Sequence, residues 1–205
     1  MNYRPMGFMG TPPVVKNLMI LNALIWLAGF LLPQVDEVLI GYGALYNVLS
    51  PNFYSWQVVT YMFLHGSFSH LFFNMFALWM FGRTLEYDLG SKRFLTYYMV
   101  CGVGAGLIQM LVCLLTGSNV PTVGASGAVF GILLSFGMLH PNNVIMLMFP
   151  PIPLKAKWFV IIYGALELMY GVRGGDSIAH FAHLGGMLWG FLLLRYWKNK
   201  GKIFY

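Results

Sequence analysis

Six apolar runs, each of helical length and parted by polar links, constrain this chain more than any single motif. They fall at roughly 15–32, 70–85, 94–116, 126–140, 157–170 and 178–196. Apolar surface repeated at this density calls for lipid, where a helix meets the hydrogen-bonding demand of its own backbone. The pattern predicts an all-α, polytopic membrane protein: one domain over residues 1–205 with six transmembrane helices. Composition agrees, with 59% hydrophobic and 9% charged residues, where a soluble domain carries about 25% charged residues. The fourth run would rise only about 22 Å against a hydrocarbon core of about 30 Å. One of its ends is therefore expected to stop below the membrane surface, where polar groups can gather.

Orientation is read from the basic residues between the runs. With six spans, Arg4, Lys16, Arg83, Lys92, Arg93, Lys155, Lys157, Arg195, Lys198, Lys200 and Lys202 share one side, leaving Arg173 as the one of 12 on the other. Both termini are expected in the cytoplasm. The formal charge of +6 is spread over these links, which points to the lipid bilayer and not to nucleic acid as the partner. Cys101 and Cys113 share one run about 18 Å apart along a helix, too far for a disulfide. The first run does not end in a small-residue cleavage site and is expected to be retained. A compact chain with no transit peptide or added domain suits a bacterial plasma membrane better than an organelle. No inverted repeat of the kind transporters use is visible.

The long link from Pro33 to Ser69 carries Phe53, Tyr54 and Trp56 and is expected to lie partly in the membrane interface. The short link Gly171–Ser177 is rich in glycine and could act as a movable cap. With even-numbered runs descending from the outer side, the starts of runs two, four and six share one depth. The unusual polar residues cluster there: His70 and Asn74 in run two, Gly124-Ala125-Ser126-Gly127 at run four, His180 and His183 in run six. Polar groups inside a bilayer are costly and mark function by default.

A serine hydroxyl needs a base to become a nucleophile, and histidine is the usual one. Ser126 at a helix N-terminus would also sit beside unpaired backbone N–H groups able to hold an oxyanion. His183 shares a helical face with Gly186 and Gly190, and Gly127 and Gly131 repeat the spacing on run four. Such small-residue pairs permit close helix contact, which could bring His183 to Ser126.

The set HxxxxHxxxN (His65, His70, Asn74), GxSG (Gly124, Ser126, Gly127) and HxxGxxxG (His183, Gly186, Gly190) resembles the rhomboid intramembrane serine proteases. The resemblance covers nearly the whole chain. It implies an endopeptidase that cuts transmembrane segments of other proteins without a cofactor. Ser126 would be the nucleophile and His183 the general base, a dyad with no acidic third member. His70, Asn74 and the Ser126 N–H would form the oxyanion hole, with Phe130 packed on the catalytic imidazole. Family members often carry Trp-Arg in the first outer link; here it reads Trp56-Gln57, which puts the anchoring of that link in question. Glu86 matches a family position read as structural.

Other polar residues receive plainer readings. His180 is expected to be structural; a His180–His183 metal pair lacks the HExxH signature, so no metal is expected. His65 is expected to order the outer link and His140 to cap an inner helix end. Asp176 reads as a solvated loop charge. Glu167 would line a wet cavity or pair with Arg173. Two rival functions are a silent rhomboid-like binding protein and a small membrane transporter.

Overall fold

The computed structural model describes residues 10–147, 151–174 and 179–201, which are mostly helical. In chain order the helices are α1 (Pro13–Leu31), α2 (Pro33–Gly43), α3 (Gln57–Thr60), α4 (Phe68–Ala77) and α5 (Arg83–Leu89). They continue with α6 (Ser91–Thr116), α7 (Ser126–Leu139), α8 (Ala156–Arg173) and α9 (His180–Asn199). Each predicted apolar run lies on helix, although Ile178, at the start of the sixth, is outside the described residues. Among the described residues, α1 and α6 are each long and apolar enough to cross a bilayer, while α7 is apolar but shorter.

Three departures from expectation have local causes. The second run is not one regular helix: α4 passes through a wide π-helical turn, Leu78–Gly82, into α5. The outer link holds α2 and α3, which a search for apolar runs overlooks because Gln34, Asp36 and Glu37 interrupt the pattern. The all-α expectation also misses a small antiparallel hairpin, β1 (Val144–Met146) on β2 (Pro153–Lys155), with Ile145 opposite Leu154.

The core is the packing of α6, α7 and α9. Helix α7 is buried on nearly every face, from Gly127 to Gly137. Its contact with α9 leaves no room for side chains: a β-carbon on Gly186 would fall on the carbonyl oxygen of Gly127. Tyr97 of α6 donates its hydroxyl to the Gly131 carbonyl at 2.8 Å and so tethers the third helix to the pair. Cys101 and Cys113 are both free thiols, as expected from their spacing.

Outward, the polarity is that of a lipid-facing protein. Ile20, Leu24 and Phe30 on α1 and Ile161, Ile162, Leu168 and Met169 on α8 are exposed, a density of apolar surface that water does not tolerate. At the opposite end from the predicted site, Glu86 of α5 accepts hydrogen bonds from the amides of Val14 (3.0 Å) and Val15 (2.8 Å) and from the Ser91 hydroxyl (2.6 Å). It thereby satisfies two of the orphan N–H groups in the first turn of α1 and opposes that helix's dipole.

The outer link is anchored without an arginine. Gln57 is fully buried; its amide nitrogen donates to the carbonyls of Asn52 (2.8 Å) and Tyr42 (3.4 Å), and its oxygen accepts from the Tyr46 amide (3.4 Å). A neutral amide can serve both donors and acceptors of a folded loop, which a guanidinium cannot. Leu45 exchanges two backbone hydrogen bonds with Thr122, both 2.9 Å, fastening the link to the segment that leads into α7.

Candidate active site

Ser126 is the first residue of α7 and follows a glycine whose geometry is dictated twice. Gly124 has φ of +124°, which side-chain-bearing residues rarely adopt, and a β-carbon there would lie 2.7 Å from the His70 ring. Its amide donates to the Tyr61 carbonyl at 2.9 Å. The chain thus turns sharply at Gly124 and presents the Ser126 side chain at the head of the helix. There the first backbone N–H groups lack intrahelical acceptors.

His183 lies in the first turn of α9, brought level with Ser126 by the glycine contact one turn below. Its Nε2 is 2.8 Å from the Ser126 Oγ. The imidazole is stacked face to face on Phe130, with ring centroids 4.2 Å apart and planes 6° from parallel; Tyr163 of α8 stacks on the other side of Phe130. Packing therefore fixes the plane of the His183 ring before any hydrogen bond does.

Two further predicted residues lie on α4, which packs against α7. His70 reaches α7 from α4 and packs on Gly124, while Asn74, buried one turn further on, donates to the His70 carbonyl at 3.0 Å. The Ser67 hydroxyl caps α4 by accepting from the His70 amide at 3.1 Å. His65 is buried edge-on against His70, with centroids 5.0 Å apart. His140 sits just after the C-terminal end of α7, where its Nε2 is 2.6 Å from the Asp88 carboxylate. Asp176 and residues 175–177 of the proposed cap lie outside the described residues.

Glu167 is where the sequence reading needs correction. Its partners are imidazoles, not Arg173. Its Oε2 is 2.8 Å from His183 Nδ1 and 2.7 Å from His180 Nδ1. His180, expected to be structural, is thus a second partner of the same oxygen and stacks on Tyr170. The clue was available, since a carboxylate within an apolar run is unusual. These three residues also offer one donor atom each within 4.8 Å of one another and could hold a metal ion.

Comparison with known proteins accords with this geometry. The sequence model described as Rhomboid domain matches residues 52–199. The chain belongs to the rhomboid family. This rhomboid is 33% identical over 185 residues to YdcA of Bacillus subtilis, a match covering 88% of this chain and 86% of the relative. It is 35% identical over 140 residues to Rhomboid protein 1, mitochondrial, of Saccharomyces cerevisiae, covering 66% of this chain and 40% of that protein. To Rhomboid protease GluP of Bacillus subtilis it is 32% identical over 155 residues, covering 76% of this chain and 28% of that one. The rhomboid thus spans less than half the length of the yeast protein and of GluP. Membership makes it an integral membrane protein of a family of serine hydrolases that act on membrane-protein substrates.

Proposed function

We propose that this rhomboid is an active intramembrane serine endopeptidase that cuts transmembrane segments of other membrane proteins. The observation that carries the reading is the 2.8 Å approach of Ser126 Oγ to His183 Nε2, held by a stacked aromatic ring. Ser126 attacks the scissile carbonyl carbon while His183 Nε2 takes its proton. The oxyanion is held by His70, Asn74 and the Ser126 N–H. As the C–N bond breaks, the leaving amine takes the proton from His183. Water, deprotonated by the same nitrogen, then hydrolyses the acyl-enzyme ester. Nothing in this sequence of steps calls for a cofactor.

The topology that suits this chemistry is six spans, formed by α1, the α4–α5 helix, α6, α7, α8 and α9. Both termini are then cytoplasmic, and a bacterial plasma membrane is the proposed location. The shortness of α7 supports a position for Ser126 below the outer surface, within reach of a buried peptide bond. A substrate helix must unwind there, because its carbonyls are otherwise committed to internal hydrogen bonds. Access beside α8 is favoured by that helix's loose packing, since only Ala156 and Val160 along it are buried.

The test is cleavage of a transmembrane test substrate in liposomes by the wild type, Ser126→Ala and His183→Ala, with a fluorophosphonate probe alongside. The wild type is expected to cut and label and both variants to do neither. Equal cleavage by Ser126→Ala would overturn the assignment.

A further inference from the structure

We infer that Glu167 is the third member of a Ser126–His183–Glu167 relay, a positioning residue for His183 that is itself held in place by His180. The inference rests on the proteolytic reading above and goes beyond the dyad that the family resemblance implies.

The argument begins with what each atom can do. An ionised carboxylate only accepts hydrogen bonds, whereas a neutral imidazole has one donor nitrogen and one acceptor. Because Glu167 Oε2 faces His183 Nδ1 at 2.8 Å, the ring proton belongs on Nδ1. Nε2 is then an acceptor, which is the state needed opposite the Ser126 hydroxyl at 2.8 Å. With Glu167 removed, no other hydrogen bond to Nδ1 among the described residues selects that tautomer over the other.

The same carboxylate acts again during the reaction. When Ser126 attacks, its proton moves to Nε2 and the His183 ring becomes an imidazolium with its Nδ1–H still directed at Glu167. The side chains of His183 and Glu167 are only 10% and 12% exposed, so the attraction is little screened by water. No proton passes to Glu167; its charge stabilises the ring that holds one.

His180 explains how a flexible glutamate is kept still. It precedes His183 by three residues on α9 and donates from Nδ1 to the same Oε2 at 2.7 Å. One oxygen with two lone pairs thus bridges two rings, and Tyr170 stacks on His180 from α8. A metal ion among these donors would work against catalysis. Bound at His183 Nδ1, it would leave the ring proton on Nε2 and block the base.

The experiment compares full-length wild type, Ser126→Ala, Glu167→Gln and His180→Gln in liposomes, reading kcat, KM, fluorophosphonate labelling rate and Tm. Glu167→Gln keeps the size of the side chain and removes its charge. Its kcat is expected to fall at least about 100-fold, in line with amide substitution in other serine triads. The labelling rate should fall with it, while KM and Tm stay near those of the wild type. His180→Gln is expected to lower kcat about tenfold. Chelation with EDTA should leave wild-type turnover unchanged. If the wild type cuts, Ser126→Ala is silent and Glu167→Gln retains full kcat, the Glu167 role is overturned and the proteolytic reading survives. An unfolded Glu167→Gln together with a fully active His180→Gln assigns Glu167 to structure alone and overturns the role equally. Turnover lost to EDTA and restored by zinc overturns it in favour of a metal centre. A wild type that neither cuts nor labels removes both readings.

Discussion

Glu86 and Glu167 are the same residue type in two sheltered places, and their surroundings assign them opposite tasks. Glu86, on α5, accepts from two backbone amides and a serine hydroxyl, donors whose protonation does not change in any reaction. Glu167, on α8, accepts from two imidazoles, the side chains best suited to gain and lose protons. A carboxylate becomes structural or mechanistic according to whether its donors titrate. Glu86 should therefore register in stability and Glu167 in turnover.

The comparison is sharpened most by Glu86→Ala, which leaves buried donors at the start of α1 without an acceptor. Stability should drop by about 3 kcal/mol, the cost of orphaning several polar groups at once, with kcat per folded molecule unchanged. Thermal unfolding in detergent, paired with active-site titration by a fluorophosphonate, separates the two quantities; a selective loss of kcat would break the distinction. Next comes Phe130→Leu beside His183. Losing the stacked ring under His183 should cost about tenfold in kcat, roughly 1.4 kcal/mol of barrier, with little change in Tm. The smallest effect belongs to His140→Gln at the C-terminal end of α7. Its pairing with Asp88 is partly exposed, so less than about 1 kcal/mol of stability is at stake and turnover should not respond.

Much of this architecture was open to reading before any coordinates, for a physical reason. Apolar runs announce helices because lipid-facing and core-facing residues are both hydrophobic, so α1, α6, α7, α8 and α9 stand out against their polar links. Helix α2 does not, since it is short and carries Asp36 and Glu37. The hairpin of β1 and β2 was hidden because its strands are three residues each and lie in a proline-rich link. At the site, Ser126 and His183 stood out because glycine spacing and helix phase suggest a close approach, and the two lie 2.8 Å apart; His70 and Asn74 stood out as polar residues one turn apart on one helical face. Glu167 was noticed but not placed. Its partners lie 13 and 16 residues further along, on the next helix, and helical periodicity does not carry across a loop. Gln57 was taken for a missing arginine, because its value lies in serving donors and acceptors together, a property visible only once Tyr42, Tyr46 and Asn52 surround it.

The wide turn Leu78–Gly82 bears on the setting of Glu86, because it separates His70 and Asn74 from Glu86 along one continuous helical path. Such a turn accommodates an extra residue within an α-helix, and each residue corresponds to about 100° of rotation. It therefore sets the azimuth of one end against the other, aiming the upper half at α7 and the lower half at α1. Deleting any one residue between Asn74 and Glu86 would turn one end by about that angle, taking either His70 away from Gly124 or the Glu86 carboxylate away from the start of α1.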